Sequence, residues 1–236
     1  MFVIYAHRGA SEYYPENTLS SFIAGIEMGA DGIETDVQKT KDGVLVLFHD
    51  DTTDSKLGIH GKIADYTLDE ILMQRVKNAS YGREDVIMTF EDFLSHFASL
   101  ELTFAIELKV RGIAAEVIKM LESHNALDKS IITSFDFEAL KEANEYDSNI
   151  RLGYLYVHHS DTVMKKLAEI NAYQACPKAM DVKAEHLEEL YSKGYECRGW
   201  GIDSVSTMEY AVNIGINGGM TVNFPDKLVE YMRARK

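Results

Sequence analysis

Gly32-Ile-Glu-Thr-Asp-Val-Gln-Lys-Thr-Lys-Asp-Gly-Val-Leu-Val-Leu-Phe-His49-Asp50 is the stretch on which the reading of the fold turns. Successive side chains of a strand point to opposite faces, so Gly32, Glu34 and Asp36 share one face and Ile33, Thr35 and Val37 the other. Two carboxylates side by side on a strand do not serve packing. An isolated Glu-x-Asp is most often a pair of acids on a solvated face. Here, however, Lys39 to Gly43 carries Asp-Gly turn chemistry, and Val44 to Phe48 is a second apolar strand. A link this short cannot make a parallel crossover, so the second strand returns antiparallel and brings His49 back toward the carboxylates.

Outward from this stretch, short apolar runs alternate with amphipathic segments. Barrel strands are expected near 2–6, 31–37, 103–108, 130–134, 151–156, 172–176, 196–201 and 218–222, with 44–48 as an antiparallel arm. Helices are expected near 17–29, 111–125, 136–147, 161–170, 183–193, 205–215 and 225–235, with starts such as Ser134, Ser160 and Ser204. Strand–helix alternation with eight strands predicts an α/β fold, a (β/α)8 TIM barrel with a small insertion after the second strand. The insertion runs over about 50–102, with helices expected at 67–76 and 90–99 and an irregular Gly/Asn-containing stretch at 77–88. No low-complexity or repeated linker interrupts the chain, so residues 1–236 read as a single domain.

At 236 residues and 46% hydrophobic content there is ample material for one core. The net charge of −14 argues against nucleic acid or an anionic membrane as partner. An anionic substrate therefore has to be captured by local cations. Cys176 and Cys197 match no disulfide framework and no zinc spacing, and are expected as reduced core thiols. No basic n-region with a long apolar h-region precedes His7, and no run is long enough to span a membrane, so the expectation is a soluble, cytoplasmic chain with no membrane anchor. Oligomeric state is not legible in the sequence.

In a barrel of this class chemistry sits at the C-terminal ends of the strands. Strand one ends in His7-Arg8-Gly9. The Phe104-Ala-Ile-Glu-Leu-Lys109 run repeats the alternation of the opening stretch, with Ala105, Glu107 and Lys109 inward and Phe104, Ile106 and Leu108 toward the helices. Three inward carboxylates at one mouth repel one another unless a cation lies between them, and their oxygen chemistry suits Mg²⁺ or Ca²⁺. Glu34, Asp36 and Glu107 are the candidate metal ligands. Arg8 and Lys109 are candidate anion partners, Arg8 as a planar fork and Lys109 as a point charge, although Lys109 equally reads as an internal salt bridge to Glu107. His7 and His49 titrate in the right range to serve as acid and base in a displacement at phosphorus. His158 and His159 precede a helix start and read as loop or capping residues, and His60, His96, His124 and His186 carry no partner signal.

Taken in order, His7-Arg-Gly9, Pro15-Glu-Asn-Thr18, Glu34-x-Asp36, Thr40-Lys-Asp-Gly43, His49-Asp50, Ile106-Glu-Leu-Lys109 and Thr221-Val-Asn-Phe-Pro-Asp226 resemble the glycerophosphodiester phosphodiesterase family across nearly the whole chain. The resemblance implies a metal-dependent hydrolase of glycerol and lipid metabolism. Its substrates would be small diesters such as glycerophosphocholine or glycerophosphoethanolamine, cleaved to glycerol 3-phosphate and an alcohol. It further implies His7 and His49 as the catalytic pair, Glu34, Asp36 and Glu107 around Mg²⁺ or Ca²⁺, Arg8 and Lys109 on the phosphate, and Trp200 lining the pocket. Three positions depart from the family's pattern. Asp51-Thr-Thr-Asp-Ser-Lys56 replaces a leucine and arginine after His-Asp, Gly201 replaces a common threonine and is expected to loosen packing, and Asn223 stands where an aspartate is frequent.

Two other chemistries fit the same residues. A barrel aldolase or lyase would use Lys109 as a Schiff base, or the three carboxylates to hold an enolate-stabilising metal. A noncatalytic phosphate-binding barrel would bind and not turn over. Within the family, a lysophospholipid-cleaving variant ranks below small diesters because no basic amphipathic helix is present. Tyr13, Tyr14 and the 51–66 segment are the expected walls for the alcohol half of the substrate, with a surface or hinge role as the alternative.

Overall fold

Val-, Ile- and Leu-rich runs buried on both faces need helices on one side and a filled interior on the other, and a closed parallel sheet meets both demands. The computed structural model describes residues 2–235. Its elements in chain order are β1 (Ile4–His7), α1 (Leu19–Glu27), β2 (Gly32–Lys39), β3 (Leu45–Leu47), α2 (Asp54–Leu57), α3 (Leu68–Leu72), β4 (Val76–Asn78), β5 (Arg83–Asp85), α4 (Phe90–Phe97), β6 (Thr103–Leu108) and α5 (Ala114–Ser123). Then follow β7 (Ser130–Ser134), α6 (Phe137–Tyr146), β8 (Leu152–Tyr156), α7 (Asp161–Glu169), β9 (Gln174–Pro177), α8 (Ala184–Ser192), β10 (Glu196–Ile202), α9 (Val205–Asn213), β11 (Gly219–Val222) and α10 (Pro225–Ala234).

Strands β1, β2 and β6 to β11 pair only in parallel among themselves, and β1 bonds both β11 and β2, so the sheet closes. This is the expected (β/α)8 TIM barrel. The 44–48 arm forms as β3, antiparallel to β2 with Val37 opposite Leu47. Closure requires close approach at Gly32, where a Cβ would stand 2.6 Å from the Thr103 carbonyl oxygen. Only a residue without a side chain fits there.

Local chemistry explains most helix starts. Thr18, Ser160 and Ser204 each accept a backbone N–H of the first turn. Ser134 is not the cap expected of it. Asp136 caps α6, while the Ser134 hydroxyl donates to the Leu108 carbonyl and accepts the Asp136 N–H. The helix expected over 67–76 ends at Leu72, because Val76–Asn78 pairs antiparallel with Arg83–Asp85. The 77–88 stretch holds the rest of that hairpin.

Between β3 and β6, Phe48, Leu57, Ile63, Ile71, Val76 and Ile87 gather with Val46 in a satellite apolar cluster beside the barrel. Helix α4 belongs instead to the main core. Phe93 is fully buried there, with its ring 5.2 Å from Phe22 and 5.3 Å from both Phe97 and Phe104. Phe93→Ala is expected to cost about 3–5 kcal/mol of unfolding free energy, measured by urea unfolding, because the rings around it cannot all collapse into the void. Cys176 and Cys197 are buried and unpaired, as expected.

Candidate active site

Register brings the candidate ligands together. His7 at the end of β1 lies opposite Glu34 of β2, and Asp36 lies opposite Glu107 of β6. Glu34, Asp36 and Glu107 are all buried, and one carboxylate oxygen from each lies within 4.8 Å of the others. The Glu34 Oε2 and Asp36 Oδ1 atoms are buried without a hydrogen-bond partner. Burial and the Asp36 charge push Glu34 and Glu107 upward, whereas at Asp36 burial is outweighed by Arg8, His49 and Lys109, which hold it below the usual carboxylate range. Clustered, mutually repelling carboxylate oxygens, two of them buried without a hydrogen bond, fit a hard divalent cation.

Asp36 is held from several directions. Arg8 Nε stands 3.2 Å from its Oδ2, Lys109 Nζ 3.9 Å from its Oδ1, and Asn17 Nδ2 donates to Oδ2 at 3.0 Å. Asn17 is in turn fixed by the Thr35 hydroxyl at 2.8 Å. Arg8 and Asn17 both adopt left-handed backbone, at φ of 55° and 56°, and both side chains reach Asp36. Arg8 also meets Glu16 at 3.2 Å, and Glu16 is braced by Lys56 at 2.7 Å. Lys109 Nζ lies 3.0 Å from Glu107 Oε1, so the internal salt bridge forms and Lys109 also stands at the mouth.

The two histidines are oriented by different partners. His7 Nδ1 is 2.5 Å from Asn223 Oδ1, an atom that can only accept, so Nδ1 carries the hydrogen and Nε2, 3.8 Å from Glu34 Oε2, carries the lone pair. Burial, reinforced by the Arg8 charge, pushes His7 down to about 3, which keeps it neutral. His49 Nδ1 is 2.8 Å from Asp50, whose other oxygen accepts the Ser55 hydroxyl at 2.7 Å. Burial at Asp50 is outweighed by these two hydrogen bonds, and its carboxyl stays low. The departures from the family pattern thus have local accounts. Asn223 orients His7, and Ser55 and Lys56 brace Asp50 and Glu16.

His7, Arg8, Glu34, His49, Glu107 and Trp200 border one cavity of about 290 Å³. Its apolar wall is Phe135, Leu155 and Trp200, with Phe135 edge-on to the indole at 4.9 Å. Trp200 is locked by donation from Nε1 to the carbonyls of Cys176 at 3.0 Å and Tyr156 at 3.2 Å. Gly201 has φ of 71°, and the Lys178 stem fills the space a side chain would take, so the expected loosening is absent.

Tyr13 and Tyr14 do not wall this cavity. Tyr13 donates to Asp226, and Tyr14 lies under the Arg83 guanidinium at 3.8 Å. Residues unsignalled by the sequence reading include Phe135 and Arg198, the latter buried in the barrel and donating to Gln174 and Thr221. A cation inside a strand run was the available signal for Arg198. His158 and His159 pair with Asp181 and Glu189 and do not line this cavity. His60, His124 and His186, without a partner signal in the sequence, meet Asp54, Glu91 and Glu185 in space.

No helix among the described residues is long and apolar enough to cross a membrane. A model described as the glycerophosphoryl diester phosphodiesterase family matches residues 7–227. A glycerophosphodiester phosphodiesterase of Caldanaerobacter subterraneus subsp. tengcongensis is 30% identical over 238 residues, covering 98% of each chain. One from Bacillus altitudinis is 28% identical, covering 99% of each. In fold, the chain matches a phosphodiesterase from Oleispira antarctica, solved with the product sn-glycerol-3-phosphate, with a TM-score of 0.88 at 23% identity over 98% of this chain and 96% of that one. Sequence match and barrel together place the chain: it belongs to the glycerophosphoryl diester phosphodiesterase family, whose members are phosphoric diester hydrolases.

Proposed function

We propose that the chain hydrolyses small glycerophosphodiesters to glycerol 3-phosphate and an alcohol, with His7 and His49 as the acid–base pair. One observation carries this reading: two histidines with separately fixed Nδ1 atoms and three converging buried carboxylates border the same cavity. Glu34, Asp36 and Glu107 would hold a divalent cation, Mg²⁺ or Ca²⁺. Such an ion supplies charge neutralisation for a phosphate that the acidic mouth would otherwise repel. Arg8 and Lys109 add fixed positive charge for the transition state, already oriented by Asp36, Glu16 and Glu107. One imidazole takes the proton of the attacking hydroxyl and the other returns a proton to the leaving alkoxide. Phe135, Leu155 and Trp200 exclude water from one side of the reacting centre.

The Schiff-base alternative asks for a neutral lysine. Although burial pulls Lys109 down, Glu107 and Asp36 raise it overall, which keeps it an ammonium. The deciding assay is release of glycerol 3-phosphate from glycerophosphocholine and glycerophosphoethanolamine with Mg²⁺ or Ca²⁺ and again with EDTA. Release that depends on the added metal is expected. No release from folded protein under any of these conditions sinks the reading.

A further inference from the structure

A second, larger cavity of about 710 Å³ has the opposite charge character to the molecule. Among its lining residues are Lys39, Lys41, Lys62, Lys109 and Arg111, with Asp51 the single carboxylate. That is a far higher share of cations than 24 Lys and Arg in 236 residues would give, in a chain of net charge −14. Three of the five are already engaged: Lys39 with Glu116 at 2.5 Å, Arg111 with both oxygens of Asp136, and Lys109 with Glu107. Among the described residues, Lys41 and Lys62 form no ion pair, and both are exposed.

One ion pair joins the groove to the candidate active site. Lys109 lines the groove, and the Glu107 it binds at 3.0 Å lines the catalytic cavity. Gln38, also on the groove wall, donates to the carbonyls of Phe48 and Asp50 on either side of His49. The catalytic cavity is small for a diester with an extended alcohol half, and the groove on the far side of the Lys109–Glu107 pair is of ligand size. Lys41 and Lys62, two cations with no ion pair among the described residues, set beside three paired ones on an acidic protein, make a local potential well for an anion.

We propose that this groove is a second anion subsite, holding a phosphate carried by the alcohol half of the diester. The inference rests on the hydrolytic reading above and specifies its substrate class: diesters of glycerol 3-phosphate whose leaving alcohol is itself phosphorylated. Lys41 and Lys62 supply the unpaired charge, and Lys39 and Arg111 shape the walls from their existing pairs. The bond broken is the one between the phosphorus and the alcohol oxygen at the carboxylate site. The groove phosphate stays intact on the leaving alcohol, which gains one proton while water supplies the hydroxyl left on phosphorus.

The test compares kcat/KM for glycerophosphoglycerol with that for the same diester carrying a terminal phosphate on its leaving glycerol, in wild type and in Lys41→Gln/Lys62→Gln. Wild type is expected to prefer the phosphorylated diester. The double variant is expected to lose about five- to tenfold of that preference through KM, since each exposed cation–anion contact is modest, and to cleave glycerophosphoglycerol unchanged. The preference should also fall with added salt. Equal kcat/KM for the two diesters in wild type, or a preference untouched by the double substitution, overturns the subsite and leaves the hydrolase reading standing. Failure to cleave either diester overturns the hydrolase reading itself.

Discussion

The expected result for His49→Ala, and separately for His7→Ala, is a fall in kcat of about 10²–10⁴-fold with the fold intact. Neither ring carries structural weight that would confuse the measurement. His49 leaves behind Asp50, which keeps its Ser55 hydrogen bond, and His7 leaves behind Asn223, which keeps the Ser11 hydroxyl. Circular dichroism and thermal melts should therefore resemble wild type. If both rings act in one displacement, the double variant is expected to lose much less than the product of the single losses. Near-wild-type kcat in either single variant removes that histidine from the mechanism.

The second large effect has two signs. Glu34→Gln is expected to lower activity by at least about 10²-fold, as loss of a ligand to a catalytic cation does. The same change is expected to raise the melting temperature of metal-free protein. Glu34 is buried and crowded by Asp36, Oε2 accepts no hydrogen bond, and neutralising it relieves repulsion worth about 2–4 °C per kcal/mol in a chain this long. A variant that keeps activity and its metal-induced stabilisation, or melts lower than wild type without metal, contradicts the site.

Linkage gives that site a pH signature. Glu34 and Glu107 are raised in the folded state, so their contribution to stability is complete below the unfolded carboxylate range and is lost as pH rises through their folded values. Asp36 is lowered and works the other way, contributing above the unfolded range and losing it as pH falls. A cation removes the penalty at Glu34 and Glu107. The rise in melting temperature on adding Mg²⁺ or Ca²⁺ should thus be larger at about pH 8 than at about pH 5, where protons compete for the same oxygens.

The chain carries an evident tension between stability and chemistry. Glu34 and Glu107, ionised in a buried mouth, oppose folding, whereas the cations around Asp36 outweigh its burial. Arg8 is itself held by Asp36 and Glu16, and Lys109 by Glu107. Those pairs keep the cations oriented before any substrate arrives.

Periodicity made the barrel legible from the residues alone. A two-residue alternation of apolar and acidic side chains in β2 and β6 already states which face is interior, and eight short apolar runs separated by helix-length segments leave few ways to bury them. The turn at Asp42-Gly43 likewise dictated that β3 runs back along β2. Capping was less legible: the Ser134 hydroxyl serves the Leu108 carbonyl because β6 and β7 are neighbours, a fact with no local trace. The Asn223–His7 bond joins residues 216 positions apart and exists only because β11 and β1 close the ring. Tyr13 and Tyr14, near the mouth in sequence, turn toward Asp226 and Arg83, while Phe135, just after β7, walls the cavity. Local chemistry along the chain thus determined the strands and singled out the candidate carboxylates and histidines. Tertiary closure alone decided which partners orient them and which surfaces meet beside them, because hydrogen bonds and charge clusters depend on distance in space and not on separation along the chain.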